Sequence, residues 1–275
     1  MHPHDPTTAP PGEDRTLEAL GLAAAPREHP LTYPGAWPAE SGLLDGDRFL
    51  PLTRRVHEDR TPVLAIGSNA SPGQLRHKMA QFRIDSPVPM VRARVTGVDV
   101  GVSAHVSRMG YVSASPVAAP GTVRELFVIW LDARQLSVID ASEGVPLPDG
   151  NYRRAWLPAS RVTIELDGGE RLPGAHVYVN QHGVLHDGTG VPRSHPGQRA
   201  LLGELLLRLP RLRELFGATP EEFCARARAD RALCARGTRL FVEEELVTAS
   251  GLERYVRDQQ TGSPGTGASL SPPWM

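Results

Sequence analysis

Apolar positions change their spacing twice along this chain. Residues 16–60 carry Leu17, Leu20, Leu22, Trp37, Leu43, Leu44, Phe49 and Leu50 with no sustained period, which predicts an arm wrapping the core with short helical turns. From Thr61 the pattern is that of strands: residues 63–66, alternation over 91–102, residues 111–113, the apolar run 126–131, then 152–157, 162–166 and 176–179. Turn signals such as Asp167-Gly168-Gly169 separate them. Many short strands predict a barrel or barrel-like sheet. After Pro196, leucine recurs at helical spacing (Leu201, Leu202, Leu205, Leu209), and Thr219-Pro220-Glu221-Glu222 has the marks of a further helix start. The fold class is therefore α+β, a small mixed β-barrel with peripheral helices. It divides into an arm over 16–60, a barrel over 61–195 and a helical extension over 196–257. Residues 1–15 and 258–275 lack the apolar content to repay ordering entropy and are expected to be disordered tails.

A chain of 275 residues that is 40% hydrophobic can bury a substantial core. Its 30 basic and 31 acidic residues leave a net charge of −1, so no overall field recruits nucleic acid or a membrane surface, and a small neutral partner is expected. Lys78 is the only lysine, a bias read as GC-rich codon usage. Cys224 and Cys234 lie ten residues apart in a helical stretch, an arrangement unlike a disulfide framework, and they lack an adjacent base that would make either a nucleophile. The first residues, Met1-His2-Pro3-His4, have no basic or apolar leader character, and no run approaches the length of a membrane span. A cytoplasmic protein is expected.

Two segments carry candidate chemistry. The apolar residues 63–66 run into Gly67-Ser68-Asn69-Ala70 and then Ser71-Pro72-Gly73-Gln74, which reads as strand, loop and helix start, with Ser71 as N-cap and Gln74 completing a capping box. Such a junction aims unpaired N–H groups and a helix dipole at one point and suits a carboxylate or phosphate. A Walker phosphate loop does not fit, because the glycine spacing is wrong and no Lys-Ser/Thr follows. In the second segment, Asp132 and Gln135 bracket a helix start and Gly144 follows its end, leaving Glu143 at the last helical position. A carboxylate facing the negative helix end and partly buried should have a raised pKa, suited to proton transfer. Tyr152 follows a turn at 146–150 and comes within reach of the same place.

Together, Gly67-Ser68-Asn69 after a first strand and Glu143-Gly144-Val145 leading to Gly150-x-Tyr152 resemble the signatures of the γ-glutamyl cyclotransferase-like family. The intervening 119–123 segment and the strand to Trp130-Leu131 look similar too, so the resemblance covers roughly residues 62–180. It implies a bacterial member whose arm and C-terminal helices are additions, with a small barrel open at one mouth. The implied site is a substrate loop of Gly67, Ser68, Asn69 and Ala70, flanked by Ile66 and Tyr152, with Glu143 as acid/base. The family usually carries tyrosine where this chain has Ile66. The implied reaction releases 5-oxoproline and an amine from a γ-glutamyl amide by intramolecular aminolysis, with no cofactor and no metal. The alternatives are a non-catalytic binding protein that keeps the pocket, or an enzyme of specialised metabolism that removes γ-glutamyl groups.

Tyr178, in mid-strand, could border the pocket or pack across strands. Histidines 176, 182, 186 and 195 match no metal-ligand spacing and are expected in solvent. The 201–209 leucines are expected to pack on the barrel; a dimer interface is the alternative, so the chain is a monomer or homodimer.

Overall fold

The computed structural model describes residues 14–52 and 59–260, with side chains as far as 256; almost all of the two predicted tails lies outside them. The arm contributes a 3₁₀ turn, Pro30–Thr32, and a hairpin of β1 (Gly42–Asp45) and β2 (Arg48–Pro51). Sequence pattern does not predict this hairpin, because the paired apolar residues Leu43-Leu44 and Phe49-Leu50 conceal an alternation in which Leu44 and Phe49 are buried and their neighbours are not. Gly46, at φ +56°, makes the turn.

The frame of the molecule is a long antiparallel hairpin, β4 (Val88–Val106) and β5 (Val112–Leu131), beside the short β3 (Thr61–Ala65). Sequence pattern predicts two separate strands within β5, over 111–113 and 126–131; the structure joins them. The prolines at 116 and 120 mask the continuity. Pro116 sits opposite Val100, and a register shift at Thr96/Gly97 lets Pro120, Gly121 and Thr122 bulge out.

The remaining strands are β6 (Tyr152–Pro158), β7 (Thr163–Leu166), β8 (Gly174–Asn180), β9 (Val184–Leu185) and β10 (Val247–Thr248). The sheet runs β10-β9-β4-β5-β3-β8-β6, with β1 and β7 also attached to β4. The fold is α+β as expected, but the sheet does not close into the expected barrel. β7 pairs with β4 rather than with β6, so among the described residues β6 is hydrogen-bonded only to β8. Alternation along a strand says which face is buried but not whether the last strand meets the first.

Seven α-helices flank the sheet among the described residues: α1 (Pro72–Ala80), α2 (Ala133–Glu143), α3 (Gln198–Arg208), α4 (Pro210–Phe216), α5 (Pro220–Ala229), α6 (Arg231–Glu243) and α7 (Glu253–Gln260). One core gathers Leu64, Val91, Val128, Leu157 and Val177 with Leu252 and Val256 at the start of α7. A second joins Leu17, Leu44 and Phe49 of the arm to Val63, Ile129, Leu75 of α1 and Ile139 of α2. In the third, α3 to α6 pack Leu201, Leu202, Leu205, Phe216, Phe223 and Phe241 on Val102, Val106 and Val112, the far half of the hairpin. Each such side chain contributes roughly 1.5–3 kcal/mol on burial. Cys224 of α5 and Cys234 of α6 are buried in that core as free thiols. No helix among the described residues is long and apolar enough to cross a membrane.

Candidate active site

Beyond β3 the chain makes a single 3₁₀ turn, Ser68–Ala70, before α1. Ala70 N–H donates to Gly67 O and Ser71 N–H to Ser68 O, both at 3.0 Å. The N–H groups of Gly67, Ser68 and Asn69 have no acceptor among the described residues. These three donors are the arrangement that an anionic group needs. Position 67 must be glycine for a reason the sequence does not disclose: a Cβ there would strike the Tyr33 hydroxyl. The expected capping box is not formed. Ser71 occupies the N-cap position, but its hydroxyl is buried without a hydrogen bond, and Gln74 instead accepts from Arg27 N–H at 3.0 Å, tying the arm to α1.

At α2 sequence and structure agree: Asp132 accepts from Gln135 N–H at 2.9 Å, the Gln135 side chain accepts from Asp132 N–H at 3.0 Å, and Gly144 terminates the helix at φ +79°. Glu143, the last helical residue, meets Asn69 there: Asn69 Nδ2 donates to Glu143 Oε1 at 3.2 Å. Lys78 of α1 clamps both, its Nζ donating to Asn69 Oδ1 at 2.7 Å and to Glu143 Oε1 at 3.0 Å. The Lys78 side chain is 3% exposed and that of Glu143 17%.

This triad reverses the expected pKa of Glu143. Burial pushes its carboxyl up, but the Lys78 charge, the hydrogen bonds from Lys78 and Asn69, and the more distant Arg27 charge together outweigh burial and hold it below the usual glutamate range. Sequence alone weighs burial and the helix dipole without the ammonium. Burial also lowers Lys78, assisted by Arg27 and opposed by Glu143.

The triad lines a cavity of about 720 Å³. Its floor is aromatic. Tyr33, delivered by the arm, stacks on Tyr111 at 4.6 Å and accepts a hydrogen bond from Ala114 N–H at 2.8 Å, while Tyr152 donates to Ala114 O at 3.1 Å. His105, 3% exposed, has a ring nitrogen 3.0 Å from Asn180 Nδ2 and stacks on His182 at 5.5 Å. Burial, then the His182 charge, lowers its pKa to about 3, so it stays neutral.

Of the residues singled out from sequence, Ile66, Gly67, Ser68, Asn69, Glu143, Tyr152 and Tyr178 all line this cavity. Ala70 does not; it is fully buried beneath the loop in the second core. Tyr178 donates to Asp140 Oδ1 at 2.8 Å, and Asp140 also pairs with Arg154 at 2.7 Å, so Tyr178 braces α2. The histidines expected in solvent are largely not there: His176 is half-buried on β8 against Trp156, His182 lines the cavity, and His195 packs on Tyr33. Among the described residues no cluster of histidine, cysteine or carboxylate could hold a metal ion. Sequence reasoning misses Lys78, Arg27, Tyr33 and His105. Only Lys78 carries a signal. In a chain that otherwise uses arginine throughout, a solitary lysine stands out, and here its compact ammonium reaches both Asn69 and Glu143.

No family model and no curated protein matches the chain. Solved structures similar to it include a γ-glutamyl cyclotransferase (17% identity over 62% of this chain and 87% of that one, TM-score 0.35). An AIG2-like protein from mouse matches at 15% identity over 51% and 88%, TM-score 0.34. YkqA from Bacillus subtilis matches at 13% identity over 76% and 57%, TM-score 0.36.

Proposed function

We propose that this protein cleaves a γ-glutamyl amide by intramolecular aminolysis, releasing 5-oxoproline and the amine that had been acylated. The observation that carries this reading is the Asn69–Glu143–Lys78 contact. It joins the two segments that resemble the γ-glutamyl cyclotransferase signatures, 74 residues apart, on the lining of one cavity. The α-carboxylate of the γ-glutamyl group lies against the N–H groups of Gly67, Ser68 and Asn69, where charge-assisted hydrogen bonds favour it. Held there, the α-nitrogen is close to its own γ-carbonyl, and ring closure needs no second reactant.

Glu143 is ionised at rest, which suits the first step, since a base must take the proton of the attacking amine. The α-nitrogen bonds to the γ-carbon, the old amide C–N bond breaks, and Glu143 returns the proton to the departing nitrogen. Lys78 keeps the carboxylate ionised and fixes its orientation through Asn69. No cofactor enters this scheme.

The test is to incubate the purified protein and a Glu143→Gln variant with a panel of γ-glutamyl amines and peptides, and to measure 5-oxoproline. The wild type should release it, and the variant should fold normally and turn over about 10² to 10⁴-fold more slowly. A variant that keeps more than about a tenth of the wild-type rate removes Glu143 from the mechanism. Binding without 5-oxoproline from any compound identifies a binding protein instead.

A further inference from the structure

The cavity is also lined by the tip of the β4–β5 hairpin and by α6, a helix outside the segment that resembles the cyclotransferase family. Arg108 of the tip and Arg231 and Arg239 of α6 line it. With Arg27 and Lys78, the cavity collects five cations against two carboxylates, Glu143 and Asp149, in a chain whose net charge is −1. Glu143 is already committed to Lys78.

Three of the acids in or beside α6 are occupied elsewhere. Asp230 caps the helix, accepting from Ala232 and Leu233 N–H, and Glu243 and Glu244 both pair with Arg211. Among the described residues neither the Arg231 nor the Arg239 side chain has a hydrogen-bond or ion-pair partner. Arg108 is half-buried, and its guanidinium is lowered first by burial and then by the charges of Arg231 and Arg27. Like charges gathered on a concave wall raise the free energy of the empty site, and an anion entering it lowers that free energy.

We infer that the amine released by this protein carries two negative charges, as a pair of carboxylates or as one phosphate monoester, that dock between Arg108 and Arg231. The inference rests on the cyclotransferase reading for the position of the γ-glutamyl end. It reverses the neutral partner that overall charge suggests. A guanidinium fork matches both carboxylate and phosphate oxygens, so the shared chemistry is the dianion and the two sources must be separated by experiment.

The full chain is offered four compounds: γ-glutamyl-glutamate, the γ-glutamyl amide of O-phosphoethanolamine, γ-glutamyl-alanine and γ-glutamyl-ethylamide. For each, 5-oxoproline release gives kcat/KM, and calorimetric titration gives affinity independently of turnover. At least one dianionic compound should exceed the ethylamide by about tenfold or more in both measures, and the better of the two identifies the source. In Arg108→Gln, Arg231→Gln and their double variant that ratio should fall toward one, with Arg231→Lys intermediate. Equal binding of all four compounds, or a dianion preference that survives the double substitution, overturns the inference. If no compound yields 5-oxoproline but the dianions still bind in an arginine-dependent way, the anion site stands and the cyclotransferase reading falls. If neutral and dianionic amides are turned over equally well, the reverse holds.

Discussion

Replacing Lys78 by methionine tests the electrostatics of the site most directly. Methionine keeps most of the length and volume of the side chain but removes the ammonium that donates to Glu143 at 3.0 Å and to Asn69 at 2.7 Å. Glu143 then keeps its burial, which raises its pKa, and loses the strongest influence that lowers it. A hydrogen bond to a charged group contributes roughly 1.5–3 kcal/mol, equivalent to about 1–2 pKa units. The acid limb of the kcat/KM profile should therefore move toward neutral pH by about 1–2 units. Stability should respond with a definite sign. In the wild type the folded pKa of Glu143 lies below its unfolded value, so the contribution of Glu143 to stability is present above the unfolded glutamate range and is lost as pH falls through the folded value. In the variant the carboxyl shifts upward, so its contribution should decline as pH rises across the same window. Leaving one half of a buried pair costs about 3–5 kcal/mol, less here because Glu143 keeps 17% exposure. The double variant Lys78→Met/Glu143→Gln should recover much of that loss. Thermal melts at pH 4, 5, 6 and 7 and a pH–rate profile decide the matter. An acid limb that stays where it was in the wild type refutes the role assigned to Lys78.

Two further outcomes concern buried groups near the cavity. His105, with its pKa lowered from 6.5 to about 3, should make the protein lose stability as pH falls from 6.5 toward 3, because the unfolded chain binds a proton that the fold refuses. The full effect is about 4–5 kcal/mol and about half of that by pH 5; urea unfolding of a His105→Gln variant should show a flatter acid limb, and an unchanged limb would falsify the assignment. Tyr33→Phe removes the oxygen that accepts Ala114 N–H at 2.8 Å in a buried setting. A lost acceptor of this kind costs about 1–3 kcal/mol, to be read as a lowered Tm; an unaltered melting temperature would show that the amide finds another partner.

Local features are legible in the sequence where a few neighbouring residues decide them. Asp132 with Gln135, Gly144 after Glu143, and Thr219 with Glu222 each mark a helix end that the structure reproduces. The same logic fails at Ser71, because Gln74 is drawn away by Arg27 from 47 residues upstream, a competitor no local rule contains. The hairpin β1–β2 and the continuity of β5 are hidden by doubled apolar residues and by prolines that a bulged strand tolerates. At the site, the residues at 66–69, Glu143 and Tyr152 can be placed together from sequence and Tyr178 is left between pocket and packing, whereas the partners that surround them come from helix faces and loops without a local signature. The pKa of Glu143 is misjudged from sequence for the same reason, since its sign depends on a lysine 65 residues away.

The β4–β5 hairpin bears on modularity. Its near half shares a core with β6 to β8 and its far half is covered by α3 to α6, while its tip and α6 together form the arginine wall. A fragment trimmed to the 62–180 segment would keep Gly67, Asn69, Lys78 and Glu143. It would lack Arg27 and Tyr33 from one end of the chain and Arg231 from the other, and would bare Val102, Val106 and Val112 to water. The smallest piece bearing the proposed reacting groups is thus smaller than the smallest piece able to enclose the cavity, and transplanting the signature residues into another host would carry over the Asn69–Lys78–Glu143 contact without the walls around it.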